Sequence, residues 1–108
     1  MRTKILTYYT EVSKGEGINL FPVKFCRVGK GGAMVVYNSM TKTPLNVCFD
    51  LSHLCDPEFA VLHEIAHIVL LSKSGNAGHG AKFTKEFNRL VDKYTYSNLC
   101  MQIFAGKN

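Results

Sequence analysis

The chain has 108 residues, a formal net charge of +5 and a mean hydropathy near zero, and 46% of its residues are hydrophobic. This composition predicts one globular domain over residues 1–108 and excludes a disordered chain. The apolar stretches are too short for a transmembrane helix or a secretory signal, so we expect an intracellular, cytoplasmic monomer without membrane contact. The basic charge favours an acidic partner, of which nucleic acid is the commonest.

The first half of the chain predicts a helix and three strands. Thr3–Ser13 has apolar residues at helical spacing, and glycines at positions 15 and 17 end this element. Three strand-like runs follow, at Val23–Val28, Ala33–Asn38 and Leu45–Leu51. Lys30–Gly32 predicts a hairpin between the first two strands, and Met40–Pro44 joins the second to the third. We therefore expect a small three-stranded sheet, antiparallel or mixed.

The second half predicts two helices and an apolar tail. Asp56 caps the first of these helices and Pro57 occupies its first turn, and the helix is expected to continue to about Leu71. A glycine-rich loop leads to a second helix over Ala81–Tyr94. The tail contains an apolar cluster, Leu99–Phe104, that we expect to dock on the core. The predicted fold class is α+β.

The four cysteines form no Cys-x-x-Cys pair, so neither a zinc ribbon nor a thioredoxin-type motif is expected. No feature of the chain indicates secretion, where a disulfide framework would be common. We interpret all four as reduced thiols, mostly buried: Cys26, Cys48, Cys55 and Cys100.

The helix that begins near Asp56 contains three polar residues in an otherwise apolar stretch: His63, Glu64 and His67. Two histidines four residues apart lie on one helical face, at the separation that a tetrahedral zinc ion requires. Glu64 projects beside such a metal and can take a proton from the water that the metal activates. The alternative is two core histidines with Glu64 paired to a lysine. Burial without partners would be costly, so the spacing favours zinc.

A zinc site needs a third protein ligand, and His79 is our first candidate because it follows a glycine-containing loop at the mouth of the second helix. Glu86 is the competing ligand, although neighbouring lysines offer it an ordinary salt bridge. For His53, which precedes the first of the two helices, we expect a structural role.

The segments His63–His67 and His79–Phe83, followed by Phe87, resemble the SprT-like or Spartan-type zinc metallopeptidases, whose pattern is HExxH, a loop and HGxxF. The resemblance implies a minimal zincin-like domain. His63, His67 and His79 would hold Zn²⁺, Glu64 would be the general base, and Phe83 and Phe87 would pack beneath the site. Members act on proteins, and the best known digest proteins crosslinked to DNA. No C-terminal zinc ribbon is present, as in the short versions carried by phages and mobile elements.

The predicted function is that of a zinc metalloendopeptidase with a protein or peptide substrate. Either Ala33–Asn38 or Leu45–Phe49 would supply a strand edge for an extended substrate. Tyr94 and Tyr96 are candidates for stabilising the oxyanion.

A basic stripe on the second helix would contact nucleic-acid phosphates without sequence specificity, or form an ordinary solvated surface: Lys82, Lys85, Arg89 and Lys93.

Two other functions stay open. ImmA/IrrE-type peptidases, which cleave repressors, also begin with HExxH but use a downstream glutamate as ligand, which here would be Glu86. A zinc-stabilised module that binds DNA or protein without turnover is the second. It would retain its activity in Glu64→Gln.

Overall fold

The computed structural model describes residues 2–54 and 56–96, with only the backbone of residues 95 and 96. Its elements are, in chain order, α1 (Arg2–Glu16), β1 (Val23–Phe25), β2 (Ala33–Asn38), β3 (Thr43–Phe49), α2 (Pro57–Ser74), α3 (Ala81–Leu90) and a π-helical segment (Val91–Tyr96). The predicted α+β class is confirmed. The predicted docking of Leu99–Phe104 lies outside the described residues, as do Cys55 and Cys100.

The three strands form one mixed sheet in the order β1-β3-β2, in which β1 is parallel and β2 antiparallel to β3. The predicted hairpin between the first two strands is therefore wrong, because β3 lies between them. Asp50, directly after β3, explains the connection: its Oδ2 accepts hydrogen bonds from the backbone N–H groups of Val28 (3.0 Å) and Gly29 (3.2 Å). These bonds hold the segment that follows β1 at the end of β3.

The second connection is the predicted one, a hairpin between β2 and β3. The Oδ1 atom of Asn38 accepts hydrogen bonds from the N–H groups of Met40 (2.9 Å) and Thr41 (3.1 Å), and Lys42 has a positive φ of 58°. An Asx-type turn of this kind offers the backbone the hydrogen bonds that the strands no longer supply. Within the described residues β2 is consequently an edge strand, and β3 is the centre of the sheet.

Helix α2 lies at the centre of the molecule and packs on α1, α3, β2 and β3. Asp56 caps it as predicted, accepting hydrogen bonds from Glu58 N (3.0 Å) and Phe59 N (3.3 Å). The helix extends three residues beyond the predicted Leu71 and ends at Gly75, whose φ of 67° is the left-handed C-cap conformation. Because neighbours cover α2 on all sides, its buried residues do not form a single stripe. No helix in the described part of the chain is long and apolar enough to cross a bilayer.

The outer helices differ from prediction at their C-terminal ends. Helix α1 continues through Gly15 to Glu16, and the predicted second helix divides into α3 and the π-helical segment. A side chain at Gly15 would collide with the ring of Tyr94, so the glycine leaves room for the two elements to approach. Of the two cysteines that the structure describes, both are free thiols, but only Cys48 is buried as predicted, and Cys26 is exposed.

Candidate metal centre

Three histidines meet at the surface of α2, and we call them the histidine cluster: His63, His67 and His79. The first two are one helical turn apart on α2, and the loop after Gly75 returns the third to the same place. The Nε2 atom of His79 is 3.2 Å from Nε2 of His63 and 3.0 Å from Nε2 of His67. One nitrogen from each residue lies within 4.8 Å of the others, which is close enough for all three to hold a metal ion.

The spacing of these nitrogens fits a tetrahedral site. Zinc–nitrogen bonds of about 2.0–2.1 Å place neighbouring ligand atoms roughly 3.3 Å apart at tetrahedral angles. The two measured distances, 3.0 and 3.2 Å, are close to that value. Three imidazoles would leave the fourth position of a tetrahedral ion open.

The protonation of the cluster also suits a metal. Burial, followed by the neighbouring imidazoles, lowers the pKa of His67 to about 4, and burial with His79 lowers the pKa of His63. Neutral rings retain a lone pair for a metal. An imidazole nitrogen carries one hydrogen or one lone pair, so His79 Nε2 cannot satisfy both of its close neighbours with good hydrogen bonds. A shared cation would satisfy all three nitrogens.

Aromatic rings on α3 fix the orientation of the imidazoles. Phe83 is buried and stacks on His67 with ring centres 4.4 Å apart, and its ring centre is 4.7 Å from that of His63. Phe87 lies against His63 at 5.6 Å and stacks on Phe83 at 5.8 Å. Both phenylalanine rings therefore pack against the imidazoles of the cluster.

Glu64 is only 3% exposed, and its Oε2 atom lies 3.9 Å from Nε2 of His63. Burial raises the pKa of this carboxyl to about 8. The alternative of a lysine partner is not observed, since no lysine or arginine among the described residues forms an ion pair with it. A cation on the adjacent nitrogens would oppose the effect of burial and favour the carboxylate.

The other candidate ligands lie elsewhere. Oε1 of Glu86 accepts a hydrogen bond from Nε of Arg89 (3.1 Å), so the salt-bridge interpretation is the observed one, with an arginine instead of a lysine. Nδ1 of His53 lies 3.1 Å from Oδ2 of Asp50, outside the histidine cluster. The hydroxyl of Tyr94 donates to Glu16 (2.7 Å), and this tyrosine does not line the cavities at the cluster. The side chain of Tyr96 is not among those described.

Two cavities open beside the cluster, and both are lined by His63, Glu64 and His79. One, of about 160 Å³, includes Tyr37 of β2 in its wall. The other, of about 650 Å³, includes Phe59 of α2. The sequence analysis assigned no role to Phe59 and included Tyr37 only as part of the candidate edge strand Ala33–Asn38. The sequence indicates Phe59 as a phenylalanine at the solvent-facing start of a capped helix. The place of Tyr37 in the cavity wall depends on which strand forms the edge of the sheet.

The predicted basic stripe is partly neutralised. Arg89 forms ion pairs with Glu16 and Glu86, and Lys93 lies 2.9 Å from the Oε2 atom of Glu16. Lys82 and Lys85 form no ion pair with any residue that the structure describes. Only these two members of the stripe thus present uncompensated charge.

Comparison with known proteins gives no further assignment: no family model, curated protein or solved structure matches this chain. What the structure establishes is an α+β protein with three histidines placed to hold a metal ion.

Proposed function

We propose that this chain is a zinc-dependent endopeptidase in which His63, His67 and His79 hold the metal and Glu64 is the general base. The convergence of three histidine nitrogens beside a buried carboxyl supports this proposal most directly. A purely structural zinc site would need no such carboxyl and would close its fourth position. Here the cluster borders two solvent-accessible cavities.

The roles of the metal and of Glu64 follow from the residues that surround the site. A bound zinc ion would polarise the scissile carbonyl and acidify a water molecule. Glu64 would accept the proton of that water at its carboxylate and deliver it to the leaving amine nitrogen. The stacked Phe83 ring holds His67 in place, so that the ligands need little reorganisation before metal binding.

Among the described residues β2 pairs only with β3, and this edge position supports an extended peptide as substrate. Of the two strands considered from the sequence, Ala33–Asn38 is at the edge, whereas Leu45–Phe49 belongs to the central strand. Residues of β2 also line the smaller cavity at the histidine cluster. A substrate strand added to this edge would gain main-chain hydrogen bonds and place its peptide groups beside the metal site.

We further propose that the chain is a SprT-like peptidase with a zincin-like fold. Three features support this: HExxH on the central helix α2, HGxxF at the start of α3, and a sheet whose edge borders the site. Lys82 and Lys85 support the narrower proposal that its substrates are proteins associated with DNA. Such contacts would be electrostatic and would weaken as salt concentration rises.

The test is metal analysis combined with a peptidase assay, with and without single-stranded DNA. We expect one zinc per chain and hydrolysis that Glu64→Gln abolishes while zinc and fold are retained. The matched control is Glu58→Gln, the same change on the same helix at a residue paired with Lys4 on the surface. If Glu64→Gln retained every activity of the parent, the protein would be a zinc-stabilised binding module instead.

A further inference from the structure

The two cavities at the histidine cluster differ in volume by about fourfold, 160 Å³ against 650 Å³. Because both are lined by His63, Glu64 and His79, a peptide whose scissile bond lay at the cluster would extend into both. Each cavity would then receive a side chain from one side of that bond. The difference in volume implies a difference in the side chains that the two sides accept.

The direction of β2 assigns the cavities to the two sides of the scissile bond. The larger cavity lies at the start of β2, where its lining includes Gly31 and Ala33, and the smaller one extends to Tyr37 near the end. Antiparallel pairing is the more stable arrangement for an added strand. The N-terminal part of a substrate strand antiparallel to β2 lies near Tyr37, and its C-terminal part lies near Ala33. The residues that follow the scissile bond therefore enter the larger cavity.

The wall of the larger cavity is apolar and aromatic. Phe59 is 42% exposed, although most of the other apolar residues of α2 are buried. Its ring lies edge-on to Phe87 with centroids 6.2 Å apart, and Leu54 and Ala60 line the same space. This exposed phenylalanine therefore borders the cavity that adjoins the metal site.

Two polar side chains of this cavity already have hydrogen-bond partners. Oδ1 of Asp56 is engaged by two backbone N–H groups of the α2 cap, and His53 is bonded to Asp50. Lys30 adds a positive charge. The same lining includes the carboxyls of Asp56 and Glu64, so its charges favour neither sign, whereas an apolar side chain would cover the rings of Phe59 and Phe87.

We propose that the larger cavity is a specificity subsite for a bulky apolar side chain, such as phenylalanine, on the residue that follows the scissile bond, and that Phe59 determines this preference. The inference rests on the proposed peptidase function. Apolar pockets distinguish side chains by roughly 10- to 200-fold per methylene group in favourable cases. For a partly exposed wall we expect about a tenfold preference for phenylalanine over alanine.

The experiment uses zinc-loaded Glu64→Gln as a binding form that does not cleave. Fluorescent decapeptides of glycine, serine and alanine, with either one phenylalanine or one alanine at the centre, are titrated and followed by anisotropy. We expect the phenylalanine peptide to bind about tenfold more tightly, and adding Phe59→Ala to remove most of the difference. Leu6→Ala is the matched control, since Leu6 has the same 42% exposure and lines neither cavity.

The parent protein then reports the direction of the substrate. Cleavage on the N-terminal side of the phenylalanine, identified by mass spectrometry, supports the assignment. Cleavage on its C-terminal side, equal binding of both peptides, or an undiminished preference in Phe59→Ala overturns it. Phe59→Leu, a smaller change in the wall, provides the same comparison should the alanine variant be poorly folded. Phe59-dependent binding without cleavage by the parent would contradict the peptidase proposal and leave the subsite supported.

Discussion

The packed helices carry two polar clusters, the histidine cluster and a Glu16 cluster (Glu16, Glu86, Arg89, Lys93 and Tyr94). The two differ in whether their polar groups satisfy one another. In the Glu16 cluster the carboxylate receives hydrogen bonds from two cations and a tyrosine hydroxyl. In the histidine cluster, three nitrogens of the same kind crowd together and share no counter-charge except the carboxyl of Glu64 nearby. The hydrogen bonds and ion pairs of the Glu16 cluster are satisfied within it and join α1 to α3, whereas the histidine cluster consists of like nitrogen donors that a shared cation would satisfy.

Of the changes that distinguish the two clusters, zinc addition should have the largest effect on thermal stability. A ligand that binds only the folded state at a thousandfold excess over its Kd stabilises that state by about 4 kcal/mol. For a chain of this size, we expect Tm to rise by more than about 10 °C in calorimetry. Glu16→Gln should show the same zinc-dependent increase. An equal increase in a variant without His67 would show that zinc acts elsewhere.

Removal of the third histidine distinguishes the two ligand assignments. His79→Ala should weaken zinc binding by more than about 100-fold, because even residues that only support ligands contribute roughly 10- to 100-fold. Glu86→Ala should leave zinc affinity unchanged, since Glu86 is bonded to Arg89. Competition with a chromogenic chelator measures both. Zinc loss only in Glu86→Ala would favour the ImmA/IrrE-type assignment.

Changes in the Glu16 cluster should alter the free energy of unfolding and not zinc binding. This effect should depend on pH. Burial opposes the charge of Glu16, but hydrogen bonds from Arg89, Tyr94 and Lys93 outweigh it and lower its pKa from 4.5 to about 2. Because the folded-state pKa is depressed, the stabilisation is fully present above pH 4.5 and is lost as the pH falls towards 2. Glu16→Gln should cost about 2–3 kcal/mol at pH 7 in urea denaturation. The difference from the parent should shrink below pH 4.5, and a constant difference down to pH 2 would contradict this origin.

Gly15→Ala should have the smallest effect, about 1 kcal/mol of destabilisation. Alanine is the better helix former, but its Cβ would displace the ring of Tyr94 from Glu16. In combination with Tyr94→Phe, which removes the colliding hydroxyl, the cost should be less than the sum of the two single changes. Additive free energies of unfolding would show that the contact between α1 and Tyr94 has no such role.

The sequence was sufficient for the parts of the site that depend on local spacing. His63 and His67 are one turn apart in any helix, and the Asp56-Pro57 start places that helix correctly. His79 is within reach of them because a short loop turns back after Gly75. These residues are close in the chain, so little of the tertiary fold was needed to bring them together.

The remaining features depend on contacts between distant segments. Glu16 pairs with Lys93, which is 77 positions away in the chain. No local sequence pattern indicates that half of the basic stripe is paired. The order of the sheet depends on how Asp50 holds the segment after β1, and a loop of that length permits either pairing. The edge position of β2, and with it the cavity wall formed by Tyr37, follows from that choice.

The position of the three histidines between residues 63 and 79 has a consequence for folding order. Joining His67 to His79 closes a loop of twelve residues, half the separation between the paired Val23 and Val47, and so costs about 0.6 kcal/mol less chain entropy. Contacts of low sequence separation form early, whereas the parallel strand pair must wait for a long connection to close. If the three histidines hold a metal ion, we expect that ion to favour the docking of α3 on α2 before the sheet is complete.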